Sequence, residues 1–201
     1  MDSKLSLLQN CDLLLFKAGK FPSFGYFIGK YTNSKWSHIA LCYIEEKEYC
    51  LEFREFKGCR FYRIKQYLIE GAEIDVFRVI QIVEKPIYIN GEVKSLILNF
   101  TEEVKQKILN KAKSMINNKY NWGIIWKVMK TYIPFLRLLP RQSRVDVNNY
   151  SSFDCSAFIS YLFSQYYIDP CSFKNDTFTV PDDLAQSPIF TKLFTLTAAD
   201  L

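Results

Sequence analysis

Cys155 is the residue of this chain whose type and setting most directly indicate nucleophilic chemistry. It lies between a polar loop and a run, Phe158 to Tyr166, whose apolar residues recur at helical spacing. Asp154 or Ser152 can cap the first turn of that helix. A thiol at a helix N-terminus is favoured as thiolate, the form that attacks carbonyl groups. The alternative role is that of a small buried apolar residue.

The chain has one histidine in 201 residues, and it stands in a segment that alternates like a strand. In Lys35–Ile44, His38 shares a face with Ala40, Cys42 and Ile44, and the other face carries Ile39, Leu41 and Tyr43. A cysteine nucleophile needs a base, and imidazole suits that task near neutral pH. His38 is therefore the candidate base, and a hydrogen-bonded core histidine is the alternative.

Glu52 is the candidate partner that orients His38. It stands between apolar neighbours in the next expected strand, Glu48–Arg54, and adjacent antiparallel strands bring the two side chains within reach. Other residues could take the same role, either as carboxylates or as amides: Glu55, Asp75, Asn148 and Asn149.

Four short motifs in this order carry a family resemblance. They are Asp12-Leu-Leu-Leu-Phe16, Trp36-Ser-His-Ile-Ala-Leu41, Leu51-Glu-Phe53 and Asp154-Cys-Ser-Ala-Phe-Ile159. The chain resembles the permuted papain-like amidases of the NlpC/P60 superfamily, above all the group that includes the YiiX and YaeF proteins. Two further segments are similar to elements of that group, Lys119-Tyr-Asn-Trp122 and Pro181 to Phe190.

The resemblance implies Cys155 as nucleophile, His38 as base and Glu52 as its orienting partner, with no metal and no cofactor. It also implies substrate-side roles for Ser37, Tyr120 and Trp122. The chain departs from the family pattern at three places: Asn10-Cys11 replaces the usual Gly, Ala157 replaces an acidic residue, and Asn121 replaces an Asp.

Length and composition predict a single domain over residues 1–201, and together with the motifs and the resemblance we expect an α+β, permuted papain-like domain. The chain is 49% hydrophobic and 23% charged, which is ordinary for a globular protein with a sizeable core. The N-terminus lacks the pattern of a signal peptide, so we expect a cytoplasmic protein. The six cysteines form no Cys-x-x-Cys pair and are expected to be free thiols rather than zinc ligands.

The periodicity of the chain predicts an antiparallel sheet packed against helices. Besides the strands that carry His38 and Glu52, we expect strands at 11–17, 59–64 and 73–80. The pair Asn90-Gly91 predicts a hairpin within an insertion near 84–100. Thr101 is expected to cap a helix that ends at Asn117-Asn118.

The segment 120–140 is unusually apolar, yet it contains Lys127, Lys130, Arg137 and Pro134, so it is not a membrane-spanning helix. We expect either a core helix with a lid over the active-site groove, or an amphipathic element whose residues 122–139 contact a membrane surface. The net charge of +5 fits an anionic surface. No recognition motif for nucleic acid is present, and no such partner is expected.

The predicted function is that of a cysteine-dependent hydrolase or acyltransferase. It acts on an amide or ester bond through Cys155, His38 and Glu52, and its substrate is a peptide or an N-acyl lipid amide. The alternative from another class is a catalytically silent papain-like module that binds a membrane or a protein partner.

Overall fold

The computed structural model describes residues 3–20, 23–80, 82–89, 92–121, 152–171 and 179–201. Its strands are β1 Leu13–Lys17, β2 Trp36–Ile44, β3 Glu48–Arg54, β4 Gly58–Arg63, β5 Ile74–Val79, β6 Ile82–Ile89, β7 Glu92–Asn99, β8 Lys119–Tyr120, β9 Ser152–Phe153 and β10 Phe190–Leu196. Its helices are α1 Phe24–Thr32, α2 Ile64–Ile69, α3 Glu102–Lys113, α4 Cys155–Ser164 and α5 Pro181–Gln186, with 3-10 turns at Lys4–Leu7 and Ala198–Asp200.

Six strands form the central sheet in the order β10-β5-β1-β2-β3-β4, and each neighbouring pair is antiparallel. The β2–β3 ladder begins at Leu41↔Leu51 and ends at Ile44↔Glu48. Ile39 and His38 of β2 do not pair with β3, although β3 continues to Arg54. The two strands therefore part at the end of the sheet that carries His38 and Glu52.

The two faces of the sheet pack against different elements, as the alternation along β2 predicts. Ile39, Leu41 and Tyr43 belong to the larger core, which also contains the buried residues of α3 and α4. Ala40 and Cys42 belong to a smaller core with α2 and the N-terminal turn. A continuous apolar face on each side of the sheet stabilises both layers.

Most of the elements expected from the sequence are present, with small shifts at their ends. The strand expected from residue 11 begins at Leu13, because Cys11 has a left-handed φ of 68° and precedes the strand as a turn. The Thr101 side chain accepts the Val104 N–H and caps α3 as expected.

Strands β6 and β7 pair antiparallel from Ile82↔Asn99 to Ile89↔Glu92 and form a separate two-stranded sheet, so the expected hairpin exists. All six cysteines are buried, and none of them forms a disulfide. The segment expected as a lid or interfacial element, 122–139, lies outside the described residues. Within the ranges given above, no helix is both long and apolar enough to cross a membrane.

Candidate active site

Cys155 is the first residue of α4, and the helix is capped and anchored at that end. The Asp154 carboxylate accepts the backbone N–H groups of Ser156 and Ala157 at 3.0 and 2.9 Å. One turn later Phe158 packs against Phe53 of β3, with ring centroids 4.9 Å apart. The cap and this aromatic contact together fix the position of Cys155 against the sheet.

The thiol of Cys155 is buried and protonated in the resting protein. Burial raises its pKa to about 12, and the nearby carboxylates of Asp154 and Glu55 act in the same direction. A backbone hydrogen bond from Ile39 and a contact with the Ser156 hydroxyl act in the opposite direction. The direction of this shift opposes the thiolate expected from the helix N-terminus. Asp154 takes two of the N–H groups that were to favour it, and adds a negative charge.

His38 and Glu52 form a buried pair across the gap between β2 and β3. The Nε2 atom of His38 lies 2.6 Å from Oε2 of Glu52, with 3% and 0% of the two side chains exposed. The His38 ring also packs against Phe16, with centroids 5.2 Å apart. Among the described residues, Nδ1 of His38 is buried and has no hydrogen-bond partner. The pair thus leaves one ring nitrogen of His38 uncommitted.

The other oxygen of Glu52 is held by two more side chains. Oε1 accepts the Tyr67 hydroxyl at 2.7 Å and the Arg60 Nε–H at 2.9 Å. Burial tends to raise the pKa of Glu52, but the hydrogen bond from His38, its charge and the hydrogen bond from Tyr67 together outweigh burial and bring the pKa to about 2. Glu52 is therefore ionised and can only accept hydrogen bonds. The proton in the His38–Glu52 bond sits on Nε2, and Nδ1 of neutral His38 carries a lone pair.

The competing carboxylates have other partners. Asp75 accepts Trp36 Nε1 at 3.0 Å and the Thr195 hydroxyl at 2.6 Å, and it pairs with Lys192 at 2.8 Å. Glu55 pairs with the neighbouring Arg54 at 3.2 Å. Glu52 is thus the candidate that the structure places on His38. Asn148 and Asn149 lie outside the described residues.

Cys155 and His38 approach the parted end of β2 and β3 from opposite faces of the sheet. Cys155 belongs to the core on the α4 face, whereas the His38 ring packs against Phe16, which belongs to the core on the α2 face. The Ile39 N–H that reaches the sulfur belongs to the peptide bond that joins His38 to Ile39. The sulfur therefore lies beside the backbone of the residue that follows His38. No hydrogen bond joins it to Nδ1 in this structure.

Of the residues expected on the substrate side, Tyr120 is the one that the structure brings to Cys155. Strand β8 pairs in parallel with β9 through Tyr120↔Phe153, and β9 precedes Cys155 by one residue. The pKa of Tyr120 is raised well above its ordinary value by burial and by the Cys155 and Asp154 charges. Trp122 lies outside the described residues.

Ser37, the third residue expected on the substrate side, is buried against α1. A Cβ added to Gly25 would come within 2.8 Å of its Oγ, so the hydroxyl fills the space that Gly25 leaves open. The structure thus gives Ser37 a packing contact with α1 and places no contact between it and Cys155.

Arg60 and Tyr67 are the residues of the site that sequence reasoning missed. Arg60 faces Glu52 directly across the β3–β4 ladder. The expected strands at 48–54 and 59–64 already implied a hairpin, and a tight turn between them would have set Arg60 opposite Glu52. No comparable signal pointed to Tyr67, because α2 was not predicted.

Comparison with known proteins shows the fold alone. The sequence matches no protein-family model and no curated protein. Among solved structures, the chain is similar to the crystal structure of metalloprotein yiiX from Escherichia coli O157:H7, DUF1105. The TM-score is 0.51 at 18% identity, over 94% of this chain and 98% of that one.

That similar protein is described as a metalloprotein. In this chain, the residues at the His38–Glu52 pair do not fit a metal ion. Both Glu52 oxygens already accept hydrogen bonds, one of them from the cationic Arg60. Over the ranges that the structure describes, no group of three His, Cys, Asp or Glu side chains could hold an ion. The chain therefore has a YiiX-like fold: a mixed α/β domain built on a six-stranded antiparallel sheet with helices.

Proposed function

We propose that this chain is a permuted papain-like cysteine hydrolase or acyltransferase that cleaves an amide or ester bond. One observation carries the proposal. His38 is buried, bound through Nε2 to the ionised Glu52, and presents an unpartnered Nδ1, while the Cys155 sulfur receives the N–H of the next residue, Ile39. A nucleophile on one face of the sheet and a base with its orienting carboxylate on the other thus lie at the same end of the sheet.

In the proposed reaction, His38 acts as general base at the moment of attack. As the Cys155 sulfur bonds to the carbonyl carbon, Nδ1 takes the thiol proton, and Glu52 stabilises the imidazolium that forms. Imidazolium Nδ1–H then protonates the leaving nitrogen or oxygen as its bond to carbon breaks, which leaves a thioester on Cys155. Water or another acceptor, deprotonated by Nδ1, then attacks the thioester carbonyl. The C–S bond breaks, the acyl group leaves on the acceptor, and Nδ1–H returns its proton to the Cys155 sulfur.

The raised pKa of the Cys155 thiol bears on how the proposed attack occurs. With a pKa of about 12, the resting nucleophile is a neutral thiol rather than a preformed thiolate. Proton transfer must therefore accompany attack on the carbonyl, as in serine hydrolases. The N–H of Cys155 is the proposed first donor to the oxyanion, because Asp154 occupies those of Ser156 and Ala157.

The proposed substrate is a peptide or an N-acyl lipid amide. Tyr120 is the described residue that fits a wall of the substrate site, because β8 holds it beside Cys155. Contact of residues 122–139 with a membrane surface belongs to this proposal as well, since it would bring a lipid amide to the site.

A catalytically silent module that binds a membrane or protein partner is the second candidate. It is favoured by the same thiol: Cys155 is buried, protonated and without a hydrogen bond to His38. In that case Cys155 only fills space in the core, and its replacement by Ala leaves binding of the partner intact.

Turnover of a substrate panel tests the proposal. The panel holds acyl esters, acyl thioesters, N-acyl amides and short peptides, and each is tested with the wild type, Cys155→Ala and Cys59→Ala. Cys59 is the matched control, because it is also buried in the larger core. We expect release of the acyl group from at least one class by the wild type and Cys59→Ala and none by Cys155→Ala. Equal activity of Cys155→Ala, or no turnover by the wild type, would contradict the proposal.

A further inference from the structure

Two side chains hold the Glu52 carboxylate from the side opposite His38, and no step of the proposed reaction uses them. Tyr67 donates its hydroxyl to Oε1 at 2.7 Å, and Arg60 donates Nε–H to the same oxygen at 2.9 Å. Nη2 of Arg60 lies 2.9 Å from Oε1 as an ion pair. Arg60 Nη2 also donates to the Tyr67 hydroxyl oxygen at 3.2 Å. Glu52, Arg60 and Tyr67 therefore form a closed set of hydrogen bonds, which we name the Glu52 clamp.

Packing fixes the Tyr67 ring of the clamp in place. Phe16 meets it edge-on at 4.7 Å, and Tyr62 contacts it at 4.6 Å between centroids. The same Phe16 ring contacts His38 at 5.2 Å, so it lies against both His38 and Tyr67. A side chain held by rings on two sides keeps its hydroxyl in one position.

The clamp also places a cation and a hydroxyl next to the carboxylate that binds His38. The charged and titratable groups around the pair come from β3 (Glu52, Arg54), β4 (Arg60), α2 (Tyr67) and α4 (Cys155). Arg60 keeps 26% of its side chain exposed, whereas Glu52 is fully buried. In a buried site, a cation and a hydroxyl on Oε1 draw negative charge away from Oε2, which faces His38.

We infer that Arg60 and Tyr67 are positioning residues that hold Glu52 and thereby set the orientation and proton affinity of His38. The inference rests on the proposed function, in which His38 must be neutral before the attack and must carry the proton during it. A Glu52 without its clamp would favour imidazolium in the resting protein, which has no lone pair to take the thiol proton. The clamp thus keeps the base ready near neutral pH.

The single histidine of the chain makes the inference testable without any substrate. In protein labelled with 15N in the imidazole ring, all histidine ring signals belong to His38. We expect the Nε2–H tautomer in the neutral form of the wild type. The removal of a cation or a donor from Oε1 should move the titration midpoint of the ring to higher pH. The shift should be about one unit in Arg60→Gln and about half a unit in Tyr67→Phe.

Arg60→Lys and Arg63→Gln are the matched variants. Arg60→Lys keeps the cation and should restore a midpoint close to that of the wild type. Arg63→Gln removes the same charge from an exposed position of β4 and should leave the midpoint unchanged. A merely structural role for the clamp predicts loss of stability with no movement of the midpoint. Tyr67→Phe removes one oxygen and keeps the packed ring, so it carries the test if Arg60→Gln does not fold.

The outcomes separate this inference from the proposed function. Identical midpoints in the wild type, Arg60→Gln and Tyr67→Phe, or an equal shift in Arg63→Gln, would overturn the clamp even if the chain turns over substrate. Midpoints that move as expected in a chain without turnover would support the clamp as a charge-setting device and contradict the hydrolase. Midpoints that move in a chain with turnover support both.

Discussion

His38 Nε2 lies 2.6 Å from Glu52 Oε2, and both side chains are almost completely buried. The contact links two strands that no longer pair with each other, because the β2–β3 ladder ends at Leu41 and Leu51. At the same end of the sheet, on the opposite face, the Ile39 N–H is directed at the Cys155 sulfur.

The low pKa of Glu52 predicts a specific acid sensitivity of the fold. The pKa is about 2 in the folded protein against an ordinary value of 4.5, so ionised Glu52 stabilises the fold above about pH 4.5. This contribution, about 3 kcal/mol when complete, is lost as the pH falls from 4.5 through about 2. Glu52→Gln lacks it. The free energy of unfolding, measured by urea denaturation, should differ less between wild type and Glu52→Gln at low pH. We expect the difference to shrink by about 2 kcal/mol between about pH 6 and about pH 3.

The control for acid sensitivity is Glu46→Gln, which alters an exposed carboxylate in the loop between β2 and β3. It should keep the pH dependence of the wild type. A constant difference between wild type and Glu52→Gln over the whole pH range would show that Glu52 is not held as an ionised group.

Asp154 is predicted to lower the reactivity of the Cys155 thiol. Asp154→Asn keeps an oxygen that can cap Ser156 and Ala157 but removes the charge that raises the pKa of the thiol. Alkylation of Cys155 by iodoacetamide near pH 8.5 should therefore be faster in Asp154→Asn, by roughly threefold to tenfold. Peptide mapping separates Cys155 from the other buried cysteines.

Asp154→Ala is the companion variant for that experiment. It removes both the charge and the cap, and should lower the free energy of unfolding by about 1 kcal/mol. If Asp154→Asn reacts no faster than wild type while Asp154→Ala does, local opening of the helix end controls reactivity, and the electrostatic explanation is wrong.

Glu52 and Asp75 are both buried carboxylates, but only one is predicted to affect acyl transfer. Glu52→Gln removes the charge beside His38 and should slow acylation of Cys155 on the order of a hundredfold or more. Asp75→Asn weakens the contacts with Trp36, Thr195 and Lys192 and should lower the melting temperature without a comparable loss of rate. Stopped-flow acylation by an activated ester and thermal unfolding measure the two effects. Equal loss of rate in both variants would contradict the assignment of Glu52.

The strands and the main site residues were predictable because their signals are local. Strand β3 has the expected bounds, Glu48–Arg54, and the alternation along β2 correctly separated Ile39 from His38. Strand β10 was not predicted, because Phe190–Leu196 mixes exposed and apolar residues without clear alternation and is an edge strand. Local pattern was enough for β2 and β3 but not for the six-residue helix α2, although α2 also buries one face.

The chemical state of the site was less predictable than its residues. The position of Cys155 at the start of a helix was predicted correctly. The pKa of its thiol, however, depends on burial and on Glu55, which lies far away in the sequence, in the turn after β3. The Tyr67 hydroxyl reaches Glu52 from α2, fifteen residues further along the chain. Such contacts depend on tertiary packing, which no periodic pattern in the sequence reveals.

Trapping of an acyl group on Cys155 is the measurement that tests the central claim most directly. The wild type, His38→Ala and Cys59→Ala are mixed with an activated acyl ester near neutral pH, quenched in acid, and examined by intact mass and peptide mapping. The account predicts one acyl group per chain, as a thioester on Cys155, in the wild type and Cys59→Ala, and a rate lower by at least about a hundredfold in His38→Ala. Acylation that is absent, that occurs on another residue, or that is equally fast in His38→Ala would contradict it.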